Sequence, residues 1–126
     1  MIQHKKTTGY RAVGPLGKDH QFDYQEFTTK KTWHFSVTYE GYTIQVNAWL
    51  IFEHGRYIAV DQDTGLDMLF TTTKYRSEAA LLQLETDPVY LSAVGRAMIG
   101  SAYYKTYKQR LHEYLEELHG EHHAEE

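Results

Sequence analysis

From Trp33 to Phe52 apolar and polar residues alternate in two runs, Trp33, Phe35, Val37, Tyr39 and then Tyr42, Ile44, Val46, Ala48, Leu50, Phe52, separated by Glu40-Gly41. A period of two marks a half-buried strand. A turn at Glu40-Gly41 pairs Tyr39 with Tyr42, Val37 with Ile44, Phe35 with Val46 and Trp33 with Ala48, so both apolar sets share one face; a slip of one residue would destroy that agreement. The opposite face carries His34, Ser36, Thr38, Thr43, Gln45 and Asn47, the solvated side of an antiparallel sheet. A second turn at His54-Gly55 pairs Glu53 with Arg56, Phe52 with Tyr57 and Leu50 with Ala59. It also gathers Trp49, Ile51, Ile58 and Val60 at one end of the face that is polar elsewhere. That patch needs a cover, whether the chain's own helix, its N-terminal segment or another molecule.

The stretches "QFDYQEF" (21–27) and "LDMLFTTT" (66–73) read as further strands, with Phe27 out of phase as at a bulge or strand end. Residues 1–19, which include Gly9, Gly14, Pro15 and Gly17, read as an irregular N-terminal segment.

Beyond Arg76 the period changes. Ser77 caps a short helix running to about Glu85, with Leu81 and Leu84 or Leu82 inward. Asp87 caps a second helix, with Pro88 at its first position, where a missing N–H costs nothing. From there Tyr90, Ala93, Ala97, Gly100, Tyr104, Tyr107, Leu111, Tyr114 and Leu118 recur at steps of three and four, the seam of an amphipathic helix. His119-Gly120 forms its stop, leaving 120–126 as an acidic, His-rich tail. Unbroken, residues 88–119 would make a rod of roughly 48 Å against about 33 Å for a ten-residue strand. Either the rod breaks near Gly95 or Gly100, or its last turns project and need a partner. The pattern therefore predicts one α+β domain over residues 20–119. It consists of an antiparallel meander of four or five strands, followed by a short helix and a long C-terminal helix packed on the Trp33/Phe35/Val37/Ile44/Val46 face.

Composition narrows the class of function. With 126 residues, 41% apolar and 24% charged, the chain has ordinary globular usage. No apolar run approaches the roughly 20 residues that span a bilayer, and no apolar stretch follows the basic N-terminus as in a secretory signal. A soluble cytoplasmic protein is expected. The absence of cysteine removes disulfides, thiolate metal sites and a Cys nucleophile. The net charge of −4 is unevenly spread: Lys5, Lys6, Arg11 and Lys18 precede any acid, while Glu113, Glu116, Glu117, Glu121, Glu125 and Glu126 close the chain. The bases are too sparse for a duplex-binding face.

Three stretches invite a chemical reading. "VDQDTGLDM" (60–68) places Asp61, Asp63 and Asp67 around Gly65, but an EF-hand counted from Asp61 fails at positions 5, 6 and 12, filled by Gly65, Leu66 and Thr72. Asp, Thr and Gly equally suit a strand-to-strand turn. "HGEHHAEE" gathers His119, His122 and His123 with Glu121, more simply a solvated end than a metal site. His34, beside Asn47 across the strand pair, has the makings of a general base without a recognisable nucleophile. The aromatics sit among Val and Ile, as in a core, rather than among bases on a stacking platform. No catalytic set, cofactor or metal is expected.

The function these patterns suggest is non-enzymatic binding or assembly, in the manner of a small bacterial or phage accessory protein. The partner would be a second copy or another protein, with no role for membranes and little for nucleic acid. The predicted contact residues are Tyr104, Tyr107, Leu111, Tyr114 and Leu118 on the long helix, with Trp49, Ile51, Ile58 and Val60 on the sheet. The alternative is a pocket for a small apolar ligand between sheet and helix, lined by Trp33, Phe35 and Tyr104.

Overall fold

A computed structural model describes residues 1–13, 23–68, 76–100 and 102–123. It is an α+β structure: strands β1 (Ile2–Val13), β2 (Asp23–Tyr39), β3 (Tyr42–Glu53) and β4 (Arg56–Asp61) form an antiparallel meander, followed by helices α1 (Glu78–Leu84), α2 (Pro88–Met98) and α3 (Ala102–His123). Both predicted hairpins form in the predicted register. Trp33 faces Ala48 and Tyr39 faces Tyr42; Trp49 faces Val60 and Glu53 faces Arg56. Each turn has two residues at positive φ, Glu40 and Gly41 at 50° and 84°, His54 and Gly55 at 53° and 77°. This left-handed pair matches the twist of the flanking strands.

Trp33, Phe35, Val37, Val46, Ala48 and Leu50 form the main core with Leu81, Leu84 and Val94 of the helices. Trp33 is fully buried, its ring against Phe35 and stacked on Tyr90 at 6.2 Å. The caps stand where the side chains direct them. Ser77 Oγ accepts from the Ala80 N–H at 3.2 Å, and Asp87 Oδ1 accepts from Val89 and Tyr90 at 2.9 and 3.3 Å. Among the described residues no helix is long and apolar enough to cross a membrane.

Three expectations are corrected. Residues 2–13, read as irregular, form the long edge strand β1. An edge strand need bury nothing on its free side and is often protected by lysines, so His4, Lys5, Lys6, Thr7 and Thr8 show no period of two, and a register shift between His4 and Thr7 breaks the alternation further. Gly9 is not loop punctuation: a Cβ there would stand 2.4 Å from the Phe27 ring and 2.6 Å from Trp49.

The rod breaks at Ile99 and Gly100, one of the two alternatives, and of the two helices only α2 contributes to the main core, so α3 does not pack on the Trp33 face as expected. The expected stop at Gly120 does not occur, and the helix continues to His123; one glycine costs about 1 kcal/mol, which an established helix can absorb. Of "LDMLFTTT", residues 69–73 lie outside the described residues. Within its described part Asp67 bridges Val60 in antiparallel fashion, with the Asp61 N–H donating to the Leu66 carbonyl at 2.9 Å and the Met68 N–H to the Ala59 carbonyl at 2.7 Å. The Gly14-to-Lys18 part of the first segment, Phe22, and residues 124–126 of the tail also lie outside the described residues.

β2 pairs with β3 only from Lys31 to Tyr39. Its first half pairs with β1 alone, making a two-stranded arm of Thr7–Val13 and Asp23–Thr29. The arm reaches the loop after β4, where the Ala12 N–H donates to the Gly65 carbonyl at 2.8 Å.

Candidate functional site

The two predicted contact patches meet inside the chain. Trp49, Ile58 and Val60 are buried as a second cluster, with Ile51, Tyr10 and Phe27 packed against it. Phe27 meets the Trp49 ring edge-on at 5.7 Å and Tyr10 meets it at 6.4 Å. On α3, Tyr107 and Leu111 are buried, Leu111 to 1% exposure. Tyr114 places its ring 6.0 Å from Tyr10 and 5.0 Å from Tyr24. Tyr10 thus touches both patches. Trp49, Ile58, Val60, Tyr107 and Leu111 are core in the folded chain, and a partner cannot reach them without unpacking it. Only the outer end of the predicted seam stays open, with Leu118 40% exposed. The out-of-phase Phe27 was the one sequence signal of this arrangement, because the arm places it over Trp49.

The aspartates of 60–68 go three separate ways. Asp61 is 3% exposed, and its Oδ2 accepts from the Thr64 N–H and hydroxyl at 3.0 and 2.8 Å. Burial pushes its carboxyl up to about 6, against the opposing pull of the Thr64 hydrogen bond. Asp63 accepts from the Tyr104 hydroxyl at 2.7 Å; burial first, then the negative charges of Asp61 and Asp63, push that phenol well above its usual value. Asp67 grips the Arg11 guanidinium with both oxygens at 2.9 and 2.7 Å. The stretch is a turn that ties β4, β1 and α3 together. Among the described residues no three His, Asp or Glu converge as metal ligands, and the side chains of His122 and His123 lie outside them.

His34 holds a chain of hydrogen bonds. Its Nδ1 lies 2.7 Å from Asn47 Oδ1 and its Nε2 lies 2.8 Å from Thr32 Oγ1. Alcohol, imidazole and amide thus stand in the order of nucleophile, base and orienter. Three cavities among the described residues are lined by other side chains. The ladder continues as Ser36–Gln45 and Thr38–Thr43, which makes it a polar sheet face.

Two cavities have the makings of binding sites. The first opens where β2 parts from β3. It measures about 640 Å³ and is lined by Phe27, Lys30, Lys31, Ile51, Phe52 and Arg76, together with Arg11 and Glu53 at its sides. Arg11 is held by Asp67 and Glu53, and Lys31 by the Tyr57 hydroxyl and Glu78 at 2.7 and 3.2 Å. Those hydrogen bonds, Tyr57 first, raise the Lys31 pKa. Lys30 and Arg76 are exposed and have no ion-pair partner among the described residues. The second cavity, of about 240 Å³, lies between the 61–68 loop, the end of α2 and the start of α3. Leu66, Met68, Val94, Met98 and Tyr104 line it. Of the pocket predicted from sequence only Tyr104 belongs to this one, because Trp33 and Phe35 are packed solid in the main core.

The chain matches no protein-family model, no curated protein and no solved structure.

Proposed function

We propose that this chain is a non-enzymatic assembly protein of the cytoplasm that self-associates through the outer turns of α3. The observation that carries this reading is the mismatch between helix and platform. The inward seam of α3 is fully buried at Tyr107 and Leu111, half-buried at Tyr114, and exposed at Leu118, where the helix still has more than a turn to run. Twenty-two residues make a helix of roughly 33 Å, and its far end carries an apolar side chain flanked by Glu116 and Glu117. An apolar seam that outlasts its own core is covered at low cost by another molecule.

Light scattering on the full chain over a range of concentrations tests this. The intact protein should exceed monomer mass, and Leu118→Asp should be monomeric with an unchanged thermal midpoint, because Leu118 contributes little to the monomer core. A strict monomer for the intact chain overturns the proposal. Leu111 is unsuitable for this test, since a charge at that buried position would unfold α3.

A second reading is favoured by the 240 Å³ cavity beneath Tyr104, somewhat below the roughly 300 Å³ at which ligand pockets usually begin. It suits a small apolar ligand, and native mass spectra of the purified protein would carry the added mass.

A further inference from the structure

We propose that the surface receiving the outer turns of α3 from a second copy is the cationic cleft where β2 parts from β3. This inference rests on the self-association reading and names its other half.

Charge is the first argument. In a chain of net charge −4, the cleft gathers Arg11, Lys30, Lys31 and Arg76 against the single acid Glu53. Within the monomer Arg11 and Lys31 are neutralised by acids, so Lys30 and Arg76 remain for a ligand. The exposed end of α3 is the complementary surface. Glu116 is taken by His112 at 3.0 Å and Glu113 accepts from Gln109 at 3.1 Å, whereas Glu117 has no partner among the described residues.

Apolar matching is the second argument. Phe52, 57% exposed, lines the cleft with Ile51 and Phe27 and offers apolar surface to a side chain such as Leu118. A charged rim around an apolar surface is the arrangement of a specific protein contact.

Among the described residues, no residue of α3 lines the cleft. Directly paired residues of the arm share a side. Tyr10 with Glu26 and Ala12 with Tyr24 lie on one side, Gly9 with Phe27 and Arg11 with Gln25 on the other. Tyr114 packs on Tyr10 and Tyr24, whereas Phe27, Gln25 and Arg11 line the cleft. α3 therefore meets the arm through Tyr10 and Tyr24, which are not among the residues that line the cleft. Donor and acceptor are different surfaces, so copies join head to tail, or two copies exchange helix ends reciprocally.

The test measures the mass of the full chain by light scattering at low and high salt, for the intact protein, Leu118→Asp, the cleft variant Lys30→Glu/Arg76→Glu, the helix variant Glu117→Lys, and an equimolar mixture of the last two. The intact chain should assemble less at high salt, since rim charges are screened. Each charge variant alone should weaken assembly about tenfold or more. The mixture should reassemble, because every cleft then meets a helix end of opposite sign. If the cleft variant assembles as well as the intact chain while Leu118→Asp is monomeric, the cleft is not the acceptor and the self-association reading stands. If the intact chain is monomeric throughout, both fall. Failure of the mixture to reassemble, with both variants folded by circular dichroism, also overturns the cleft assignment.

Discussion

Helices α2 and α3 are one amphipathic stripe in the sequence, yet the molecule holds them by different means. On α2 the expected small half of the stripe is not the buried face: Ala93, Ala97 and Gly100 are exposed, and Val94 and Gly95 are buried in their place. Gly95 is buried so close to β2 that a Cβ would stand 2.6 Å from the Tyr39 Cβ, and Val94, Tyr90, Leu91 and Met98 join the main core. α3 carries the Tyr/Leu half and reaches the body through long side chains, Tyr104 to Asp63 and Tyr114 to Tyr10 and Tyr24. Small residues let a helix backbone lie against a sheet and share its cooperative core. Large aromatic residues hold a helix at arm's length, tying it to the arm and loop rather than to the sheet centre. α2 should therefore unfold only with the whole domain, and α3 should open locally at lower cost.

The largest effect should come from the platform under α2. Trp33→Ala removes a fully buried ring that packs against Phe35 and stacks on Tyr90 and should cost about 4 kcal/mol of global stability, at the upper end for large-to-small core changes. Denaturant unfolding would show it as a lower midpoint for every probe together. Leu111→Ala should cost about 3 kcal/mol at its site, but the loss should be confined. Hydrogen exchange should show α3 amides losing protection while those of β2 and β3 keep theirs. Equal loss in both regions would mean that the two helices belong to one cooperative unit.

The smallest effect concerns the joint between them, where Asp61 lies in the cavity shared by α2 and α3. Its folded-state pKa is raised to about 6 from an ordinary 3.8 by burial. The folded chain therefore binds the proton more tightly than the unfolded one between those values. The resulting stability is fully present below about pH 4 and is lost as pH rises through about 6, by up to about 3 kcal/mol. Asp61→Asn keeps an oxygen acceptor for Thr64 and removes the charge. It should flatten that slope and raise stability at pH 7 by about 2 kcal/mol, read from denaturant midpoints across the pH range.

Much of the fold was legible because local chemistry and long-range packing agree. The period of two, with positive-φ turns at Glu40-Gly41 and His54-Gly55, admits one register. Ser77 and Asp87 cap wherever a helix follows them. The candidate site was less legible. Tyr104 through Leu118 were recognisable as a seam, but a seam looks the same whether its cover is the chain itself or another molecule. The cleft was not readable, since Lys30 and Arg76 are distant in sequence and come to line one cavity only where β2 leaves β3 at Lys31.

The sequence by itself determined the elements, the pairing of the central strands and the faces that must be buried, because side-chain periodicity and turn conformation act over a few residues. Only the tertiary structure decided which apolar surfaces cover one another. It curled the arm so that Tyr10 and Phe27 close over Trp49, broke the final stripe at Gly100, and set α3 against the arm. Those outcomes depend on distances between residues far apart in the chain, where a close approach such as Gly9 on Phe27 has no local signature.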